Sequence, residues 1–158
     1  MVVMEYTNMG APGEFTFGAK EFISYKFLET FHEKYTRLVD AISTYIANYN
    51  EYSSSFLVKS IHDEKIEVIK TIKREMSSVI YFVEVINSEI GNKKVSENIE
   101  ELKRIYKKIV RMNEIPYELL EEMNKHLSYI MGLLFLTEIT RRFPSRAQQL
   151  LGDFERSL

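Results

Sequence analysis

Apolar side chains recur at every third or fourth position through most of this chain, which is the spacing of one face of an α-helix. The pattern predicts a first helix over residues 19–50 and a second over 55–90, with a third from about 96 and a fourth over 116–143. In the second helix, spacings of three and four alternate as in the heptads of a coiled coil. This seam consists of Ile69, Ile72, Met76, Val79, Val83, Ile86 and Ile90.

Glycine and proline, which interrupt helices, are missing from residues 19–90. Gly91 suits the end of the second helix, because glycine adopts a left-handed backbone without strain. Pro116 has two interpretations: it either opens a fourth helix after a turn or kinks one long third helix. In both cases the short connections make the long helices antiparallel neighbours.

The predicted fold class is therefore all-α: an elongated antiparallel up-down helical bundle with four long helices, or with three if Pro116 is a kink. The amphipathic segment at 145–158 predicts a short C-terminal helix. Residues 1–18 contain three of the six glycines, so we expect a flexible or extended N-terminal arm there. Residues 19–158 are expected to form a single helical-bundle domain.

Two stretches are apolar on all sides rather than along one stripe: VIYFVEVI at 79–86 and YIMGLLFL at 129–136. Such segments need cover on most sides, which a small bundle does not supply to each of its helices. Either the arm and the tail cover them within one chain, or a second copy of the chain does, and the second interpretation is favoured. The residues predicted to form this interface are Val79, Ile80, Phe82, Val83, Tyr129, Met131, Leu133 and Phe135.

The overall composition is that of an ordinary globular protein. The formal net charge of -2 provides no general attraction to nucleic acid or acidic lipid. The absence of cysteine excludes disulfides, thiolate metal sites and cysteine nucleophiles. The first ten residues lack the basic region of a signal peptide, and the longest mostly apolar run is shorter than the about 20 residues of a membrane span. A cytoplasmic location without a membrane span is predicted.

A local run of positive charge stands apart from this balance. ELKRIYKKIVRM, at 101–112, carries five cations: Lys103, Arg104, Lys107, Lys108 and Arg111. On a helix they share one face, which suits a phosphate-binding stripe. However, glutamates precede the cations in the order that the helix dipole favours, which is typical of a solvated helix face. The solvated face is preferred, and nucleic acid or anionic lipid is the alternative partner.

Metal and enzyme sites have weaker support. Glu29 and His32 form one Glu-x-x-His motif of the kind that holds di-iron centres in helical bundles. Glu122 and His126 differ from that spacing by one residue, and a single match is expected by chance in helices rich in glutamate. Neither a nucleophile elbow nor a phosphate-binding loop is present. No metal, cofactor or enzymatic activity is predicted.

The sequence thus favours a non-enzymatic helical-bundle protein that acts through self-association and protein–protein contact, as an adaptor, a regulatory component or a structural component. Its expected partners are a second copy of the chain, as a homodimer or a higher homo-oligomer, and another protein. Nucleic-acid binding by the basic face is the alternative function, and a metal-binding bundle is the third.

Overall fold

The computed structural model describes residues 14–16 and 22–134. Within these residues the chain forms two short strands and five helices. In chain order they are β1 (Glu14–Thr16), β2 (Phe22–Ser24), α1 (Tyr25–Ala47), α2 (Tyr49–Tyr52), α3 (Lys59–Ile90), α4 (Lys93–Ile109) and α5 (Tyr117–Leu133). The predicted C-terminal helix at 145–158 lies outside the described residues.

The four long helices α1, α3, α4 and α5 pack in this order around one core, and α1 also contacts α5. Contacts between neighbouring helices run in opposite chain directions. Asn87 near the end of α3 bonds Ser96 near the start of α4, whereas Lys73, further back in α3, bonds Met112 just after α4. The predicted all-α fold, an antiparallel up-down bundle, is therefore confirmed.

Pro116 separates two helices rather than kinking one. α4 ends at Ile109, and Pro116, with an extended ψ of 147°, stands immediately before α5. The ammonium of Lys73 donates to the carbonyl oxygens of Val110 (3.4 Å) and Met112 (2.7 Å), which satisfies carbonyls that the end of a helix leaves without intrahelical donors. Of the two interpretations, the four-helix bundle is the observed one.

The first helix begins later than predicted. α1 starts at Tyr25 rather than near residue 19, because residues 22–24 pair with residues 14–16 as antiparallel strands. This pairing supplies the hydrogen-bond partners that these backbone groups would otherwise find in a helix. α3 begins at Lys59, after a loop over residues 53–58, rather than at 55.

The core consists of apolar residues at the predicted spacing. All members of the second-helix seam are buried except Ile90, which is partly buried against the core. Aromatic rings join α1 to α3: the ring centroid of Phe82 lies 4.7 Å from that of Phe27 and 5.9 Å from that of Phe31. Because such rings bury a large apolar area, this cluster stabilises the α1–α3 pair.

One buried asparagine closes the turn between α3 and α4. Asn87 donates to the carbonyl oxygen of Asn92 (3.1 Å) and to Oγ of Ser96 (2.9 Å), and its Oδ1 accepts from the N–H of Asn92 (3.0 Å). Gly91 adopts a φ of 72°, the left-handed conformation typical of a helix end. The amide uses both its donor and its acceptor, so the turn buries it without an unsatisfied polar group.

Candidate interaction site

A difference in helix length leaves one end of the bundle open. At about 1.5 Å per residue, α3 is about 48 Å long and α4 about 26 Å. The two helices meet at the Gly91 turn, so α4 covers only the C-terminal half of α3. The N-terminal half of α3 meets α2 and the 110–116 loop instead. We call residues 48–73 and 110–117 the open end.

Large apolar side chains are exposed mainly at the open end. Among the described residues seven such side chains are exposed, and five of them belong to it: Phe56, Val58, Ile66, Val110 and Tyr117. Phe56 is 93 % exposed and Val58 is 65 % exposed, and both lie in the loop that leads into α3. Because exposed apolar surface often marks an interaction site, this end of the bundle is the candidate.

Ring contacts between tyrosine side chains connect the elements of the open end. The rings of Tyr45 and Tyr52 lie edge to face with centroids 5.3 Å apart, and Tyr49 and Tyr117 make the same contact at 5.3 Å. The hydroxyl of Tyr45 also accepts a hydrogen bond from the N–H of Ile115 (3.2 Å). These contacts connect α1 and α2 to the 110–116 loop and to α5, so the exposed surface rests on a packed base.

Lys65 is a buried cation beneath the same surface. Its Nζ donates to the carbonyl oxygen of Tyr52 (2.7 Å) and lies 3.3 Å from the carboxylate of Glu114. Tyr52 in turn donates to Glu64, and burial together with this hydrogen bond raises the pKa of the Tyr52 phenol. A buried ammonium is costly without partners. The two partners of Lys65 stabilise its charge and connect α3 to α2 and to the 110–116 loop.

A buried carboxylate lies between α1 and α3, just beyond the open end. The side chain of Glu75 is 1 % exposed and has cations at 3.6 Å (Lys34), 3.8 Å (Arg37) and 3.3 Å (Arg74). Its three neighbours are cations whose side chains donate hydrogen bonds and cannot accept a proton from it, so the carboxylate forms ion pairs with them. Its position therefore points to a structural role in the α1–α3 contact.

The residues predicted to form the oligomer interface lie mostly in the core of one chain. Val79, Ile80, Phe82, Val83 and Met131 are buried, Leu133 is partly buried, Tyr129 is 44 % exposed, and Phe135 lies outside the described residues. Phe27 and Phe31 of α1 cover Phe82. In the folded chain the α3 residues of this set thus present little surface to a partner.

The five cations of the predicted basic face fall into two groups that differ in their contacts. Lys103 pairs with Glu84 of α3, and Arg104 donates to Glu122 of α5 at 2.9 Å. Hydrogen bonds to Glu84 and Glu100 raise the pKa of Lys103, and hydrogen bonds to Glu101 and Glu122 raise the pKa of Arg104. Lys107, Lys108 and Arg111 are exposed near the end of α4. Two of the five cations therefore connect helices, and three are left for an external phosphate.

The Glu-x-x-His motif of Glu29 and His32 is the basis of the metal-binding hypothesis. Within residues 14–16 and 22–134, no group of three or more histidine, aspartate or glutamate side chains is arranged to hold a metal ion. Glu29 and His32 lie on α1, while Glu122 is engaged by Arg104. His126 lies 2.6 Å from Asn98 through its Nδ1.

His126 predicts a specific dependence of stability on pH. Burial lowers the pKa of its imidazole below the ordinary value of 6.5. Glu101 and Glu122 raise this pKa by smaller amounts, and Lys125 and Arg104 lower it further. In the pH range just below 6.5 the unfolded chain therefore binds more protons at this position than the folded chain, so folding stability falls on acidification. Urea unfolding at pH 7.5 and pH 5.5 measures the loss.

The His126→Gln variant is expected to lose less stability between these two pH values than the unsubstituted protein. His62→Gln, at an exposed position, is the matched control and should keep the original pH dependence. An unchanged pH dependence in the His126→Gln variant would contradict the role assigned to burial.

Sequence reasoning missed the residues that define the open end. Phe56, Leu57 and Val58 follow three serines in a turn, and three apolar residues in that position are a signal that could have been used. Lys65 had no such signal, because its partners Tyr52 and Glu114 come from distant parts of the chain.

Comparison with known proteins gives no relative for this chain. No family model matches it, and neither a curated protein nor a solved structure is significantly similar to it. Among the described helices, none is both long and apolar enough to cross a membrane. The function is therefore proposed from the chain's own residues.

Proposed function

We propose that this protein is a non-enzymatic association module whose open end binds another protein surface, with a second copy of the chain as its first partner. The observation that carries the proposal is the exposure of Phe56 and Val58 at the entrance to α3. Burying one large apolar side chain contributes about 1.5–3 kcal/mol, so covering these two supplies a useful share of the free energy of association.

The base of the open end favours association because it is already ordered. The edge-to-face contact of Tyr45 with Tyr52 and the hydrogen bond from Lys65 to the Tyr52 carbonyl hold the segment just before the Phe56 loop. Within the loop, the N–H of Phe56 donates to Oγ of Ser54 (3.2 Å). A preorganised surface loses less conformational entropy on binding than a loose one.

The alternative, nucleic-acid binding by the basic face, has less support because the cations of that face are divided. Lys103 and Arg104 are engaged with glutamates of neighbouring helices. Binding to duplex DNA that falls steeply with salt and is lost on charge reversal at Lys107, Lys108 and Arg111 would favour this alternative. The third hypothesis, a metal-binding bundle, has no supporting cluster among the described side chains.

Molar mass measured by light scattering over a hundredfold dilution tests self-association. We expect a species of twice the 18.7 kDa chain mass at high concentration. The double variant Phe56→Ser with Val58→Ser is expected to remain at the mass of one chain, because it removes the apolar surface without touching the core. Tyr129→Ser, which alters an exposed aromatic residue on the other half of the bundle, is the control and should still dimerise.

Two results would contradict self-association through the open end. The unsubstituted protein could have the mass of one chain at every concentration. Alternatively, the double variant could dimerise as strongly as the unsubstituted protein, which would place the interface elsewhere. Circular dichroism of each variant separates a lost interface from a lost fold.

A further inference from the structure

A groove runs along the N-terminal half of α3, on the side that α4 covers further along. On the face of α3 that meets α4, Asn87 contacts Ser96 and Glu84 contacts Lys103. Further back on the same face, Lys73 contacts the carbonyl of Met112. The same face continues toward the start of α3 with Ile69, Ile66 and His62, at helical spacing. These residues line a groove of about 480 Å³ that α4 does not reach.

The floor of the groove is apolar and firmly held. Ile66 is 37 % exposed, Ile69 is buried at its base, and Met112 is partly buried at the side formed by the 110–116 loop. Lys65 and Lys73 fix that loop through Glu114 and the Met112 carbonyl. The groove is therefore a preformed feature of the fold.

The rim of the groove is positively charged. Lys70 is 66 % exposed at its side chain and has one weak ion pair, with the exposed Glu67 at 4.0 Å. Lys73 donates its hydrogen bonds to backbone carbonyls, which are neutral and provide no counter-charge. Among the described residues that line the groove, Glu114 is the one carboxylate, and it is already paired with Lys65. The unbalanced charge at the rim is thus cationic.

We propose that this groove binds a short amphipathic α-helix of another protein, with apolar residues on one face and acidic residues at its flanks. The ligand would occupy the position that a longer α4 would fill. The distance from His62 to Lys73 along α3 is about 17 Å, which matches a helix of about three turns. Apolar side chains spaced by three and four on the ligand would meet Ile66, Ile69 and Met112, and its glutamates would face Lys70 and Lys73.

This inference extends the proposed function by naming the chemistry of a second partner, and it does not depend on dimerisation. Phe56 and Val58 lie in the loop before α3 and do not line the groove. Charge complementarity selects the acidic ligand, because three lysines and one glutamate line the groove, and that glutamate is paired with Lys65. A second copy of the chain in the groove is an alternative outcome of the test.

The probe is a fluorescein-labelled 14-residue peptide with leucine on one helical face and glutamate elsewhere, followed by fluorescence anisotropy. A second peptide with lysine in place of every glutamate is the control for charge. The acidic peptide is expected to bind saturably and at least tenfold more tightly than the basic one. Its affinity should also fall as the salt concentration rises, because part of the attraction is between exposed charges.

Four variants of the full chain locate the binding site. Ile66→Glu and Lys70→Glu are each expected to weaken binding of the acidic peptide at least fivefold. Tyr81→Glu changes a side chain on the same helix that is also 37 % exposed, and Lys107→Glu removes an exposed lysine outside the groove. Both controls should bind the peptide as tightly as the unsubstituted protein. Circular dichroism confirms that each variant is folded.

The proposal is overturned by an acidic peptide that does not bind, by equal binding of the basic peptide, or by equal losses in the groove variants and the control variants. It is also overturned if Ile66→Glu dissociates a dimer while the peptide binds nowhere, because a second copy would then occupy the groove. Light scattering of the same samples reports self-association separately. Failure of the groove and failure of the dimer are thus distinguishable.

Discussion

Replacing Phe82 with alanine is expected to lower the free energy of unfolding by about 3–5 kcal/mol, the usual range for removing a large aromatic residue from a core. Phe82 is 7 % exposed and its ring packs against both Phe27 and Phe31 of α1. Alanine would leave a cavity between the two helices that share the most contact in the bundle. Urea unfolding followed by circular dichroism measures the loss.

The neighbouring residue is the matched control. Tyr81 is 37 % exposed, and Tyr81→Ala is expected to cost less than Phe82→Ala, about 1 kcal/mol, because its ring lies at the surface of the bundle and its removal leaves no enclosed cavity. The pair of variants also decides between two roles for Phe82. A change in molar mass with unchanged unfolding of the single chain would assign Phe82 to an intermolecular interface and contradict its place in the core.

The buried carboxylate of Glu75 leads to the second large effect. Removing Lys34 and Arg37 together, as Lys34→Met with Arg37→Met, is expected to lower the free energy of unfolding by about 3 kcal/mol. The physical reason is that both partners from α1 are lost while the charge stays buried, and Arg74 alone at 3.3 Å remains. Equilibrium unfolding in urea at pH 7 provides the measurement.

Adding Glu75→Met to that double variant should recover most of the lost stability. A methionine of similar volume needs no counter-charge, and buried ion pairs are often replaced by apolar residues at little net cost. Glu67→Met, at an exposed position of the same helix, is the control and is expected to change stability by less than about 0.5 kcal/mol. If the triple variant is no more stable than the double variant, the buried charge is not the cause of the loss.

The sequence was sufficient for the helices because their signal is local. Ile72, Met76, Val79 and Val83 repeat at helical spacing, and each is fully buried in the bundle. The role of Gly91 also followed from local chemistry, since its left-handed conformation ends α3 as expected.

The sequence pattern did not determine what covers each apolar face. The interface with a second copy at 79–86 stays a prediction; within one chain, Phe27 and Phe31 of α1 pack against Phe82. A one-dimensional pattern shows that an apolar face needs cover and does not show which helix supplies it. The same limit applies to the basic run, where Glu84 and Glu122 of other helices engage Lys103 and Arg104.

By itself the sequence determined that this protein is an all-α bundle, because the spacing of apolar residues sets which face of each helix must be buried. The tertiary structure decided where α4 ends, since Lys73 and Tyr45 hold the 110–116 loop from far along the chain. It also decided which charges are satisfied inside the fold and which apolar residues stay outside. Those outcomes depend on distances between separate helices, and the open end with its groove is a consequence of those distances.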